Sequence, residues 1–308
     1  MLTQEQAYFS GQYIDQIIFQ SSLVQVGIFR CRPCYPHFNT AGEINHHLIV
    51  FPRTSVRISQ AGYEPLITDP NLVVFYNQGQ DYRREKISDR GDVCEWFAYD
   101  DELVVQALSV YDPQVEEHPQ RPFRMSYGPS DPAVYLLQRM VVEHIRYNRT
   151  PDRLFVEEAA LSVLGKAAFD AHQYWMRAEG SLSSRSNPDH KELAYAVRKL
   201  LATRFTESLT LVQIAAELHY SPYHLCRIFR QQTGSTIHRY LDQLRLHSAL
   251  ESVTQGESNL TQLALNLGYS SHSHFTQSFR RTFGTPPSRL RDMPAPQLLG
   301  QLSKNLIA

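Results

Sequence analysis

Long apolar runs are missing from this 308-residue chain. Nothing approaches the ~18 consecutive apolar residues of a membrane-crossing helix, so no span is expected. The opening residues, MLTQEQAYFSGQYIDQ, have neither a basic start nor an apolar core. No secretory signal is read there, and a cytoplasmic protein is expected. Cysteine is scarce: Cys31, Cys34, Cys94 and Cys226 are the four in the chain, too few for a disulfide scaffold of this length. An excess of one charge is also missing, the net being −1 at pH 7. The hydrophobic fraction of 42% is ordinary for a globular chain. At this length two domains are expected rather than one.

The small net charge hides an asymmetry. Residues 190–295 hold 12 Lys and Arg against 7 Asp and Glu, whereas residues 1–189 hold 17 against 24. The basic surplus thus lies in the last third, where a nucleic-acid partner would need it. The first hundred residues read as short strands: Ser22–Arg30, His47–Ile58 split at Pro52, Leu72–Tyr76 and Cys94–Tyr99. Turn signals at Ala61-Gly62, Asp69-Pro70-Asn71 and Asn77–Gln80 separate them. This spacing predicts an all-β sandwich or barrel. After Asp100 the apolar period becomes helical. Pro132–Arg146 sets Val134, Leu137, Val141 and Ile145 three and four apart, and Asp152–Met176 repeats the pattern. Asp131-Pro132 suits an N-cap followed by proline at the first helical position. Both helices are expected to bury their stripes on the β half or on a partner subunit, the β half being preferred. Residues 178–190, AEGSLSSRSNPDH, read as a linker. The expected organisation is therefore an α+β multidomain chain: residues 1–177, a linker at 178–190, and an all-α domain at 191–296.

That last domain contains one pattern twice. Residues 214–234, IAAELHYSPYHLCRIFRQQTG, recur as residues 263–284, LALNLGYSSHSHFTQSFRRTFG. Leu218 aligns with Leu267, Tyr220 with Tyr269, Ser221 with Ser270, Phe229 with Phe279 and Gly234 with Gly284. An apolar pair, a tight turn, a serine cap and a short basic helix make a helix-turn-helix unit, predicted at 211–234 and 260–284. In the first, Leu225, Ile228 and Phe229 form the buried face; Tyr223, Cys226 and Arg227 face outward as base readers. Arg227 suits the O6 and N7 of guanine, and Arg230, one turn on, suits a phosphate. In the second, His272, Ser273, Thr276 and Gln277 face outward, with Arg280 and Arg281 as phosphate contacts. The joining helix, Ile237–Val253, spans about 25 Å, enough to present two helices to successive major grooves.

These residues resemble the AraC/XylS family of bacterial transcription regulators. The resemblance covers Lys191 to Met293. It rests on Leu211-x-x-Ile214-Ala215, Tyr220-Ser221-x-x-x-Leu225-x-Arg227-x-Phe229, Arg245-Leu246-x-x-Ala249, the Gly268-to-Gly284 stretch, and Thr285-Pro286 with Arg291. It implies sequence-specific binding to double-stranded promoter or operator DNA, RNA polymerase as a partner if the protein activates, and no catalytic role or cofactor. One departure is Gln277, which stands where many members have arginine and favours adenine over guanine. For the first domain the resemblance implies a cupin-like β-barrel with two trailing helices, which binds a small-molecule effector or forms a homodimer.

Candidate sites in that domain are sparser. Cys31-Arg-Pro-Cys34 is a C-x-x-C with His37 close by, and Cys94 lies sixty residues beyond Cys34. Cys31, Cys34 and Cys94 suggest zinc ligands, a redox pair, or simply cysteines at a strand end. A thiol-based DNA-repair enzyme fused to the same module would need a thiolate-rich zinc site, and one C-x-x-C falls short of it. His46 and His47 are neighbours on a strand and point to opposite faces. Phe51, Arg53, Tyr76 and Trp96 are the candidate lining of an effector pocket, with Arg53 facing an anionic ligand.

Overall fold

A computed structural model describes residues 13–40, 42–179 and 188–292. Most of the predicted linker, residues 180–187, lies outside the described residues, and 188–190 already open a helix. The chain divides into two compact units. The first takes the described residues to Asp69 and Val73–Ser126; the second takes Pro70–Leu72 and the described residues from Tyr127 onward.

The first unit is built from β1 (Tyr13–Gln20), β2 (Val24–Cys31), β3 (Gly42–Glu43), β4 (His47–Pro52), β5 (Val56–Gln60), β6 (Leu66–Thr68), β7 (Leu72–Tyr76), β8 (Asp81–Lys86) and β9 (Asp92–Tyr99). One sheet runs β1-β2-β9-β4-β7 and the other β3-β8-β5-β6, with antiparallel register such as Ile28↔Glu95 and Ile49↔Phe97. The β-rich expectation holds. The two rows of strands form separate sheets, so the closed barrel is not what the described residues form. Strand spacing alone cannot tell the two apart, because both need the same alternation. Helix α1 (Asp101–Ser109) follows, its first turn capped by the Asp100 carboxylate, which accepts from the amides of Glu102 and Leu103.

The second unit opens with strand β10 (Tyr127–Pro129) and two long helices, α2 (Pro132–Tyr147) and α3 (Arg153–Glu179). Asp131 accepts from the Ala133 amide at 2.8 Å, as its Asp-Pro start predicts. Both helices group with the C-terminal unit and not with the β unit where they were expected. The reason is visible in α2: every residue from Val134 to Ile145 is buried, including Arg139 and Glu143, which pair with each other. A helix buried all round needs more than the single partner an amphipathic stripe suggests. Tyr135 stacks on His247 at 4.1 Å, and on α3 the Tyr174 hydroxyl donates to the Gln232 carbonyl at 3.1 Å.

The remaining helices are α4 (Pro188–Arg204), α5 (Leu211–Glu217), α6 (Pro222–Thr233), α7 (Ile237–Thr254), α8 (Leu260–Asn266), α9 (His272–Phe283) and α10 (Pro287–Asp292). Around α6 one core gathers Leu193, Val197 and Leu201 of α4 with Ile214, Leu225 and Phe229. Around α9 the core is an aromatic ladder, Phe275, Phe279 and Phe283, with ring centroids 5.7 and 4.7 Å apart.

Candidate nucleic-acid interface

The first helix-turn-helix is α5–α6. Thr210 and Gln213 form a reciprocal capping box at the start of α5. Ser221 caps α6 by accepting from the His224 amide at 3.2 Å, with Pro222 at the first helical position and Gly234 closing the helix in the left-handed conformation. The hairpin between them turns at His219, φ 59°, a left-handed residue that is not glycine. The α6 pattern then sorts its side chains. Leu225, Ile228 and Phe229 are fully buried, while Tyr223, Cys226, Arg227 and Arg230 are exposed. Tyr223 is 79% exposed. Among the described residues no hydrogen bond or ion pair engages the Arg227 or Arg230 guanidinium. A concavity of about 560 Å³ beside α6 is lined by Tyr223, Cys226, Arg227 and Arg230, with Gln231 and Thr236.

The second unit is α8–α9. Asn259 caps α8 by accepting from the Gln262 amide at 2.9 Å. The cap of α9 is Ser271, accepting from the His274 amide at 3.2 Å. Ser271, and not Ser270, is therefore the counterpart of Ser221, and the residue by which the second copy is longer sits in the turn. With the caps matched, the outward positions pair one to one: Tyr223 with Ser273, Cys226 with Thr276, Arg227 with Gln277 and Arg230 with Arg280. His272, Ser273, Gln277, Arg280 and Arg281 are exposed; Thr276 is half-buried, its hydroxyl 3.4 Å from the His272 ring. Arg281 reaches Asp242 at 3.5 Å.

Two residues on the connector went unread as functional in the sequence. Arg245 donates to the carbonyls of Phe205 and Glu207, both at 2.7 Å, and lies over the Tyr269 ring. Asp242 accepts from the Tyr269 hydroxyl at 2.8 Å. Through them α7 clamps the loop before the first unit and the turn of the second. The available signal was their position, one turn apart on the helix between two repeats. Helix α7, 18 residues or about 27 Å long, is thereby a fixed spacer.

In the β unit a cavity of about 180 Å³ lies between the two sheets. Its walls follow the two-residue period of strands: Leu48, Val50 and Pro52 on β4, and Asp92, Cys94 and Trp96 on β9. Tyr76 and Trp96, predicted as lining, are there. Phe51 and Arg53 are not, since they fall on the other parity. Phe51 packs on Phe97, and Arg53 pairs with Glu95 at 3.0 Å, both charges buried. Trp96 lies so close on Gly27 that a Cβ there would come within 2.1 Å of the indole. Burial pushes the Asp92 carboxyl up to about 6, against the pull of Arg84. His46 is exposed at the cavity while His47 is buried on the opposite face, accepting from the Gln78 amide at 3.2 Å. Cys31 and Cys94 are buried and Cys34 exposed, and none of the three is in a disulfide. Among the described residues no group of three or more His, Cys, Asp or Glu side chains converges as a metal site would require.

A family model described as a helix-turn-helix domain matches residues 214–293. Probable transcription factor PqrA of Proteus vulgaris is 34% identical over 86 residues, which are 28% of this chain and 70% of that protein. The chain belongs to the AraC/XylS family of transcription regulators. The bifunctional transcriptional activator/DNA repair enzyme AdaA of Bacillus subtilis (strain 168) is 32% identical over 97 residues, 32% of this chain. The match spans 46% of AdaA, so less than half of that relative is shared. The C-terminal domain of AraT, a response regulator from Geobacillus stearothermophilus, is 27% identical with a TM-score of 0.32, covering 35% of this chain and 87% of that one. What the chain shares with these relatives is the helix-turn-helix part, and it spans less than half the length of AdaA. Among the described residues no helix is long and apolar enough to cross a membrane.

Proposed function

We propose that α6 and α9 are two unequal reading heads that enter successive major grooves, about 34 Å apart, on one face of promoter DNA. The observation behind this reading is the one-to-one pairing of outward positions on two serine-capped helices, held by one clamped connector. Tyr223, Cys226 and Arg227 read bases in the first half-site, Arg227 through paired hydrogen bonds to a guanine. His272, Ser273, Thr276 and Gln277 read the second half-site, Gln277 favouring adenine. Arg230, Arg280 and Arg281 hold phosphates, Arg281 after leaving Asp242.

The β unit is the sensing half, a cupin-like module whose cavity takes a small effector in the cytoplasm. Effector binding biases how the heads sit on DNA through its differential affinity for the two arrangements. RNA polymerase is the partner if the outcome is activation. Selection of bound sequences from a random pool tests the reading half. The expected product is an asymmetric bipartite site with a guanine-bearing half and an adenine-bearing half; a symmetric or single half-site refutes the unequal heads. Operator affinity of the full chain with and without a bound effector tests the sensing half, and an unchanged affinity refutes it. If the β unit only dimerises, sedimentation shows a dimer whose DNA affinity ignores every cavity ligand.

A further inference from the structure

We propose that the effector is a small monocationic amine on an aromatic or apolar body, held in the β-unit cavity by Asp92 and Asp15. This deepens the reading of the β unit as the sensing half and rests on it. Among the described residues two carboxylates line the cavity and no Lys or Arg does. Arg84, the cation nearest to Asp92, is not in the wall. Its guanidinium is stacked 4.5 Å over Phe29, bonded to the Tyr82 hydroxyl at 2.7 Å, and 3.5 Å from Asp92. Among the described residues, then, Arg84 is the one Lys or Arg set against these two carboxylates, with His46 the other titratable nitrogen base in the lining.

Asp92 is 7% exposed and, among the described residues, accepts no hydrogen bond; the 3.5 Å contact to Arg84 is its only ion pair. A buried carboxylate left in that condition is costly, and an N–H donor in the cavity would relieve it. Asp15, accepting a hydrogen bond from Trp96, is one of the exposed lining residues, as are Asn45 and His46. An entering cation therefore meets one exposed carboxylate and a second that is buried. The rest of the wall is apolar or aromatic: Val50, Ile58 and Val74, with Tyr76, Tyr82 and Trp96. Ring faces of this kind attract a desolvated cation. Burial holding the Asp92 carboxyl high agrees with a charge short of compensation. For size, a cavity of ~150 Å³ accommodates benzene, so about 180 Å³ takes one ring with a short arm.

Three probes of one shape and three charges test this on the full-length protein: 2-phenylethylamine, 2-phenylethanol and phenylacetate, followed by calorimetry and by Trp96 fluorescence. The amine should bind at least tenfold tighter than the alcohol and the acid. Asp92→Asn should cut the amine preference by tenfold or more and Asp15→Asn by less. Because Asp92→Asn strips Arg84 of its partner and can unfold the unit, Asp15→Asn and the wild-type series decide the matter independently. Phenylacetate binding tightest would overturn the amine class, make Arg84 the anchor, and leave the sensing reading standing. Amine binding indifferent to both substitutions would place it elsewhere and overturn the proposal. Amine binding with no change in operator affinity would sustain the ligand class and sink the sensing reading. No binding by any of the three would overturn the amine proposal and leave the sensing reading to the operator-affinity test.

Discussion

The two helix-turn-helix units share a backbone and differ in almost everything mounted on it. Both reading helices are serine-capped at the start and closed by a left-handed glycine, Gly234 or Gly284. Their cores reach the same end by different means. Ile228 in the first is replaced by the buried Ser278 in the second, and Thr233 is replaced by Phe283, so volume lost at one position returns at another. Their turns differ as well. The second bends at Gly268, φ 81°, where a Cβ would come within 2.7 Å of the Arg245 guanidinium and the Thr206 carbonyl. The first makes the same bend with His219 in open surroundings and accepts the strain. The second unit is thus pressed against the connector at a point where the first is not. The reading surfaces diverge most, with Arg227 where its counterpart is Gln277. What is kept is what positions a helix; what varies is the outward face it presents.

The connector offers the largest test of this contrast. His247 is buried, neither ring nitrogen is hydrogen-bonded among the described residues, and burial drives its pKa down to about 3. The folded state therefore prefers neutral imidazole. Its contribution is complete above the unfolded value near 6.5 and is lost as pH falls toward 3, at about 1.4 kcal/mol per pH unit. Urea denaturation between pH 7 and 4.5 should show this acid limb, and His247→Leu should flatten it. Next comes Gly268→Ala, expected to destabilise by about 2 kcal/mol or more through strain and overlap. A thermal melt that does not move would mean the turn is less confined than it looks. Arg227→Ala should cost about 1–3 kcal/mol of specific binding and relax one base position. Gln277→Ala should cost less, and an equal loss would erase the asymmetry between heads. Arg280→Ala should weaken all sequences alike and lower the salt slope by about 1; a loss confined to one base would mark it as a reader. The smallest effect is His219→Gly, a gain of about 0.5–1 kcal/mol from relieved strain, opposite in sign to Gly268→Ala.

How much of this was legible varies with how local each feature is. The repeat, its caps and the outward faces of α6 and α9 follow from helical period and capping chemistry within a dozen residues. Even there the extra residue of the second copy misled: matching Ser221 with Ser270 looked natural, and only the hydrogen bond to His274 identifies Ser271 as the cap. The β-unit cavity was half legible. Tyr76 and Trp96 were picked for their chemistry and so were Phe51 and Arg53, but strand parity decides which face a side chain takes. Asp92, Asp15 and Tyr82 were missed because nothing in their local sequence marks a buried carboxylate or a cavity between sheets.

The sequence by itself determined the tandem architecture, the family, the basic surplus of the last third and the outward faces of α6 and α9, since each depends on short-range period and residue type. Only the tertiary structure decided that α2 and α3 join the C-terminal unit, that Arg245 and Asp242 clamp the connector, that the sheets stay separate, and that two aspartates share a cavity with one displaced arginine. Those depend on contacts between residues tens to more than a hundred positions apart, where local preference has no say and packing chooses the partner.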